Sequence, residues 1–140
     1  MNSKSAKIAA LVEGFRGRSF DAHYLGYLEC FNRRLFYESH EVLEVLWLAE
    51  RQESNGSFYK GLIQFAGAFV HLQKNRLRPA AALFNLARNN LQKYPNVHQG
   101  LDVAQTLGTI EKWLGDLQAT EFSANPLTET NAPRLRLADH

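Results

Sequence analysis

A chain of 140 residues has the length of one domain and can bury a sizeable core. Its hydrophobic share of 45% and charged share of 21% exclude a disordered chain, and its single cysteine, Cys30, excludes an internal disulfide and any multi-cysteine zinc site. The formal charge of +2 conceals an asymmetry. Between Ser54 and Leu101 there is no acid, while Lys60, Lys74, Arg76, Arg78, Arg88 and Lys93 bring that segment to +6 and leave −4 for the rest. A block of this kind is either an anion-binding surface or a solvated basic face. No apolar run approaches a membrane span, and "IAALV" after Lys4 and Lys7 is too short for a secretory core, so a soluble cytoplasmic protein is expected.

Every periodic segment has the helical period. A short helix is expected near Ser5 to Glu13, closed by Gly14. Ser19 then reads as an N-cap with Asp21 in the first turn, and Phe20, Tyr24, Tyr27, Leu28 and Phe31 stripe a helix of about Phe20 to Asn32. Cys30 falls among these apolar residues, which predicts a small buried thiol. A helix from Phe36 to Glu50 follows, then the turn-rich "RQESNGS". From Phe58 to Lys74 the residues Phe58, Leu62, Phe65, Phe69 and Leu72 alternate steps of four and three, with Ile63, Ala66 and Val70 as a second apolar flank, so this helix is expected at the centre. Pro79 suits a first helical turn, and Ala80, Phe84, Ala87, Leu91 and Tyr94 carry the pattern to Pro95. The spacing of Ala80, Phe84 and Ala87 matches the second helix of a tetratricopeptide repeat, but without a second copy it indicates helical hairpins rather than a solenoid. Asp102 with Gln105 forms a capping box for a last helix striped by Leu107, Ile110, Leu114 and Leu117. Beyond Thr120 the chain is polar and punctuated by Pro126 and Pro133, and "PRLRLADH" reads as extended. No segment shows convincing strand alternation. The expectation is an all-α protein, a compact bundle of about five antiparallel helices arranged as hairpins. Residues 1–18 would form an arm, 19–118 the helical domain and 119–140 an extended or flexible tail.

The stretch "FYESHEVLEVLW" sets His40, Glu41 and Glu44 inside an otherwise apolar helix. At about 100° per residue, Phe36, His40, Leu43 and Trp47 share one arc, with Glu44 at its edge one turn beyond His40. His40 is therefore expected among core residues and in contact with Glu44, with Trp47 walling the pair from water. Three roles fit the spacing: a structural His–Glu hydrogen bond, two ligands to one divalent metal ion, and an acid–base pair acting on a bound substrate. On the central helix Lys60, Gln64, Gly67, His71 and Lys74 form the one polar stripe, and Gly67 would let a helix or a ligand come close. If that stripe faces His40, a polar pocket results. The motif is not the zincin H-E-x-x-H, because Glu44 stands where the second histidine belongs, nor a di-iron Glu-x-x-His pair, because Tyr37 stands where the glutamate belongs.

At "FNRRLFYESHEVLEVLW" and "FYKGLIQFAGAFVHLQKNRLRPAAALF" the chain resembles the bacterial and archaeal family DUF309, over about Tyr24 to Tyr94. The family's hallmark, H-x-x-x-E-x-x-W/Y, is met by His40, Glu44 and Trp47. The resemblance implies a compact bundle of antiparallel helices and a suggested metal-binding role for the hallmark, with no established activity. Family members usually carry a glycine in the turn before the motif helix; here Asn32-Arg33-Arg34 occupies it, which leaves a partly continuous helix open. The expected site has His40 and Glu44 as metal ligands, with Glu41, Trp47, Lys60, Gln64 and His71 around a small-ligand pocket. Whether this is an enzyme stays open at this point. The competing expectation is an interaction module, in which the basic residues between 60 and 93 meet an anionic partner or RNA and the His/Glu cluster is structural. The aromatics follow the core stripes instead of interleaving with those basic residues, which counts against nucleic acid. A membrane partner is not expected, and a homo-oligomer is compatible with the sequence.

Overall fold

The computed structural model describes residues 3–17 and 20–137. Among them the chain forms six helices, α1 Ser3–Glu13, α2 Ala22–Asn32, α3 Phe36–Glu50, α4 Gly56–Gln73, α5 Leu77–Leu91 and α6 Val103–Ala119. The all-α expectation holds apart from a two-residue hairpin, β1 Val97–His98 with β2 Leu101–Asp102. That hairpin has too few residues to alternate, so its signal lies in the turn. Gln99 (φ 51°) and Gly100 (φ 73°) both adopt left-handed backbone, as a two-residue hairpin loop requires.

Helix α4 is the axis of the molecule because it has apolar residues on most of its circumference. Phe58, Leu62, Phe65, Ala66, Phe69 and Leu72 are fully buried. Against α2 it runs parallel: Tyr24 meets Phe58, Phe31 stacks on Phe65 (5.2 Å between centroids), and the Tyr27 hydroxyl donates to the Leu62 carbonyl at 2.7 Å. Against α3 and α5 it runs antiparallel, Phe69 meeting Phe36 near the start of α3 and Phe84 in the middle of α5. Gly61 sets the α4–α5 distance, since a Cβ there would stand 2.9 Å from Leu91 Cγ, a fully buried side chain without room to retreat. Trp113 of α6 closes the aromatic cluster edge-on to Phe69 at 5.1 Å.

Helix ends depart from expectation by one to three residues. Asp21 is the N-cap of α2, its carboxylate accepting from the His23 N–H at 2.7 Å, so it stands before the first turn; Ser19 lies outside the described residues. Helix α4 begins at Gly56, two residues earlier than Phe58, and α5 ends at Leu91, short of Tyr94. Tyr94 leaves the helix because its hydroxyl ties the α3–α4 loop, donating to the Ser54 carbonyl and accepting from the Phe58 N–H. Asp102 caps α6 as expected, accepting from the Gln105 N–H at 2.9 Å.

Between α2 and α3 the helix breaks. Arg34 takes φ 62°, its N–H bonds back to the Phe31 carbonyl, and the Leu35 N–H bonds to the Cys30 carbonyl. That is a Schellman closure, built here without the glycine that usually stands in the left-handed position. Helix α4 ends the same way through Asn75 (φ 56°), which places exposed Lys74 and Arg76 on the α4–α5 turn. After α6 the chain runs without helix back across the bundle, with Leu135 and Leu137 buried and Leu137 bridged to Leu101.

Candidate functional site

Helices α3 and α5 flank α4 without closing over it, and the strip of α4 left between them floors a cleft of about 440 Å³. Its lining is Tyr37 and His40 from α3, Lys60, Ile63, Gln64, Gly67, Val70 and His71 from α4, and Leu83 and Leu86 from α5. Small-molecule sites commonly occupy about 300–1,000 Å³. Of the residues singled out in the sequence, the cleft brings together His40, Lys60, Gln64 and His71, with Gly67 at its centre.

Each of these is held by a local cause. His40 and Glu44 stand one turn apart on α3, with Nε2 to Oε2 at 3.4 Å. Their side chains keep 30% and 41% of their surface, so His40 is at the border of the core and not within it. The buried face of α3 is Phe36, Ser39, Val42, Leu43 and Leu46. Ser39, which a hydrophobic pattern passes over, sits at its middle because its hydroxyl donates to the Phe36 carbonyl at 2.8 Å. Lys60 lies over the face of Trp47, 4.3 Å from the ring centroid, and Arg51 approaches the same ring at 5.9 Å. Trp47 therefore orients Lys60. The Gln64 carbonyl oxygen accepts from the Asn90 side chain at 2.8 Å, which fixes the amide across α4 and α5.

His71 is the exception to this satisfied set. Its Nδ1 is shut off from solvent and has no hydrogen-bond partner among the described residues. Burial, with Arg76 and Lys74 on the adjoining turn, holds its pKa below the usual 6.5, so the ring is neutral at physiological pH.

Glu41 does not join this group. One residue round the helix from His40, it lines a second cleft of about 310 Å³ between α1, α2 and α3, with Lys7, Cys30, Arg33 and Glu38 among its neighbours. The Cys30 thiol there is buried and pushed up to about 11, chiefly by burial and then by Glu38, so it stays protonated and unreactive. Sequence reasoning missed Tyr37, whose ring leans on His40 at 5.8 Å while remaining 53% exposed, and Leu83 and Leu86, which come from a helix far along the chain.

Among the described residues no group of three or more His, Cys, Asp or Glu side chains could hold an ion, and His40 with Glu44 supplies only two ligands of the usual four or more. Within the basic segment Arg88 pairs with Glu111 at 2.8 Å, Arg78 covers Phe122, Lys93 bonds Ser57 and Asn90, and Lys60 lines the cleft. No helix among the described residues is long and apolar enough to cross a membrane.

Fold and cleft define a small helical-bundle protein with a polar-floored groove over its central helix. The family described as "Domain of unknown function (DUF309)" matches residues 24–83, the helical core of the chain. The matched stretch runs from α2 into α5 and includes every cleft residue except Leu86. Neither a curated protein nor a solved structure matches the chain.

Proposed function

We propose that the α3–α4–α5 cleft is a small-molecule binding site, with His71 and His40 as its polar contacts and Ile63, Val70, Leu83 and Leu86 as its apolar walls. The observation that carries this is the orphaned His71 Nδ1. A buried polar atom without a partner costs about 1–3 kcal/mol, and a turn of the ring that brings Nδ1 to the cleft it lines would let a ligand group supply the missing bond. The hallmark residues then have distinct parts: Glu44 steadies the His40 ring, and Trp47 steadies Lys60. A fragment library screened by amide and imidazole NMR tests the reading. Hits should perturb the His71 and His40 rings and the Gly67 amide together; hits scattered elsewhere, or none, would overturn it.

Gly67 separates function from stability. A Cβ there would meet only Leu83 Cδ1, at 3.0 Å, the end of a half-buried side chain that can turn aside. Alanine gains about 1 kcal/mol over glycine inside a helix, so Gly67→Ala should leave stability unchanged or raise it by up to about 1 kcal/mol. It should also narrow the cleft floor and weaken any fragment found above. Urea unfolding and the same NMR titration read the two effects separately.

The exposure of the His40–Glu44 pair lowers what its removal should do. A pair this open to water contributes no more than about 1 kcal/mol, so His40→Ala should shift the unfolding free energy by less than about 1 kcal/mol, not the 1–3 kcal/mol of a buried pair. Added zinc or manganese should leave the melting curves of both proteins unmoved. A metal-dependent rise in wild type that His40→Ala abolishes would restore the metal reading.

A further inference from the structure

Resting on the cleft being a ligand site, we infer that its ligand is an amphipathic organic anion, an apolar body with one acidic head group that seats at His71. None of the ten lining residues is Asp or Glu, whereas three carry nitrogen bases, His40, Lys60 and His71. Eight of the ten come from the acid-free segment between Ser54 and Leu101, which gives that charge asymmetry a place in the fold. The carboxylate beside the cleft, Glu44, is engaged by His40. Lys60 meets the face of Trp47 and no carboxylate among the described residues. A groove with apolar walls and charge of one sign focuses potential on a ligand of the other sign.

The body and the head group separate along the groove. Lys60, Gln64, Gly67 and His71 descend one face of α4 over roughly 16 Å at about 1.5 Å per residue. Gly67 leaves the middle open, and Ile63, Val70, Leu83 and Leu86 line it with hydrocarbon. At the His71 end two cations act on the ring. Lys74 and Arg76 stand just beyond it on the turn, α3 contributes Tyr37 and the Glu44-paired His40, and α5 presents Leu83 and Leu86 to the cleft. A neutral His71 ring that lines the cleft can donate to an anionic oxygen there once it turns an N–H toward it. That anion in turn favours the protonated ring, so binding draws the His71 pKa upward and affinity grows as pH falls through the range in which the bound ring takes up its proton.

The test uses the full chain and four probes with one body: octanoate, octyl phosphate, octanol and octylamine. NMR titration of the ring and amide signals should show octanoate or octyl phosphate binding at the cleft at least tenfold more tightly than octanol, with octylamine weakest. The two acids separate carboxylate from phosphate preference. Saturation with the tighter acid should raise the His71 pKa, and His71→Gln should abolish the preference for acid over alcohol while the fold, read by its amide spectrum, is kept. Octanol binding as well as the acids, octylamine binding best, or an unmoved His71 pKa would overturn the anion assignment and leave the ligand site standing. Silence from these four alongside cleft-binding neutral fragments would do the same. Silence from every probe and fragment would remove the site itself.

Discussion

Phe69→Ala is expected to destabilise the protein by about 3–5 kcal/mol, a large share of the usual total stability of about 5–15 kcal/mol. Phe69 is fully buried on α4 and meets five other rings, Phe31, Phe36, Phe65, Phe84 and Trp113, at centroid distances of 5.1–5.6 Å. Those rings come from α2, α3, α4, α5 and α6, so a cavity at this point weakens every packing layer at once. Collapse cannot fill it cheaply, because the neighbours are rigid aromatics with few alternative rotamers. Phe69→Leu keeps most of the volume and should lose less than half as much. Urea denaturation by circular dichroism reads both; a loss under about 1 kcal/mol for alanine would mean that the cluster is not the keystone of the core.

The central helix was legible because apolar residues recur on two faces of α4, and only a buried axial helix needs that. Its polar stripe was legible for the same reason: Lys60, Gln64, Gly67 and His71 are what remains when the core faces are removed, and they floor the cleft. Less could be read from α3, where the buried face is centred on Ser39, a residue whose burial depends on a backbone carbonyl that no hydropathy pattern records. Glu41 was misjudged through nearness in sequence, since one residue on a helix is a turn of about 100° and here leads to a different cleft. Arg34, Asn75 and Glu121 close Schellman turns without the usual glycine, yet the three helix ends fall within a residue or two of where the apolar stripes stop. The walls at Leu83 and Leu86 are a tertiary fact: their sequence says only that α5 has a partly exposed apolar flank.

Asn32→Ala should release the C-terminal segment from the bundle at a cost of about 2–3 kcal/mol. Around Leu135 the attachment of that segment rests on one side chain at the end of α2. The Asn32 amide donates to the Leu135 carbonyl at 2.8 Å and its oxygen accepts from the Leu135 N–H at 2.7 Å, imitating a strand neighbour on both sides. Alanine leaves both backbone groups without partners beside a side chain that is only 5% exposed. Other ties further up the segment are independent of this one: Asn125 donates to the Leu72 carbonyl and Arg34 to the Thr128 carbonyl. The loss should therefore be local, opening the chain around Leu135 and Leu137 while α2 to α6 stay folded. Amide exchange at Leu135 should accelerate roughly thirtyfold or more, each ~1.4 kcal/mol being a factor of ten. Asn32→Asp, which keeps an acceptor for the Leu135 N–H and loses the donor, should fall between wild type and alanine. Equal acceleration throughout α4 would show instead that the segment unfolds only with the whole bundle, and unchanged exchange at Leu135 would show that the Asn32 bridge contributes nothing to holding it.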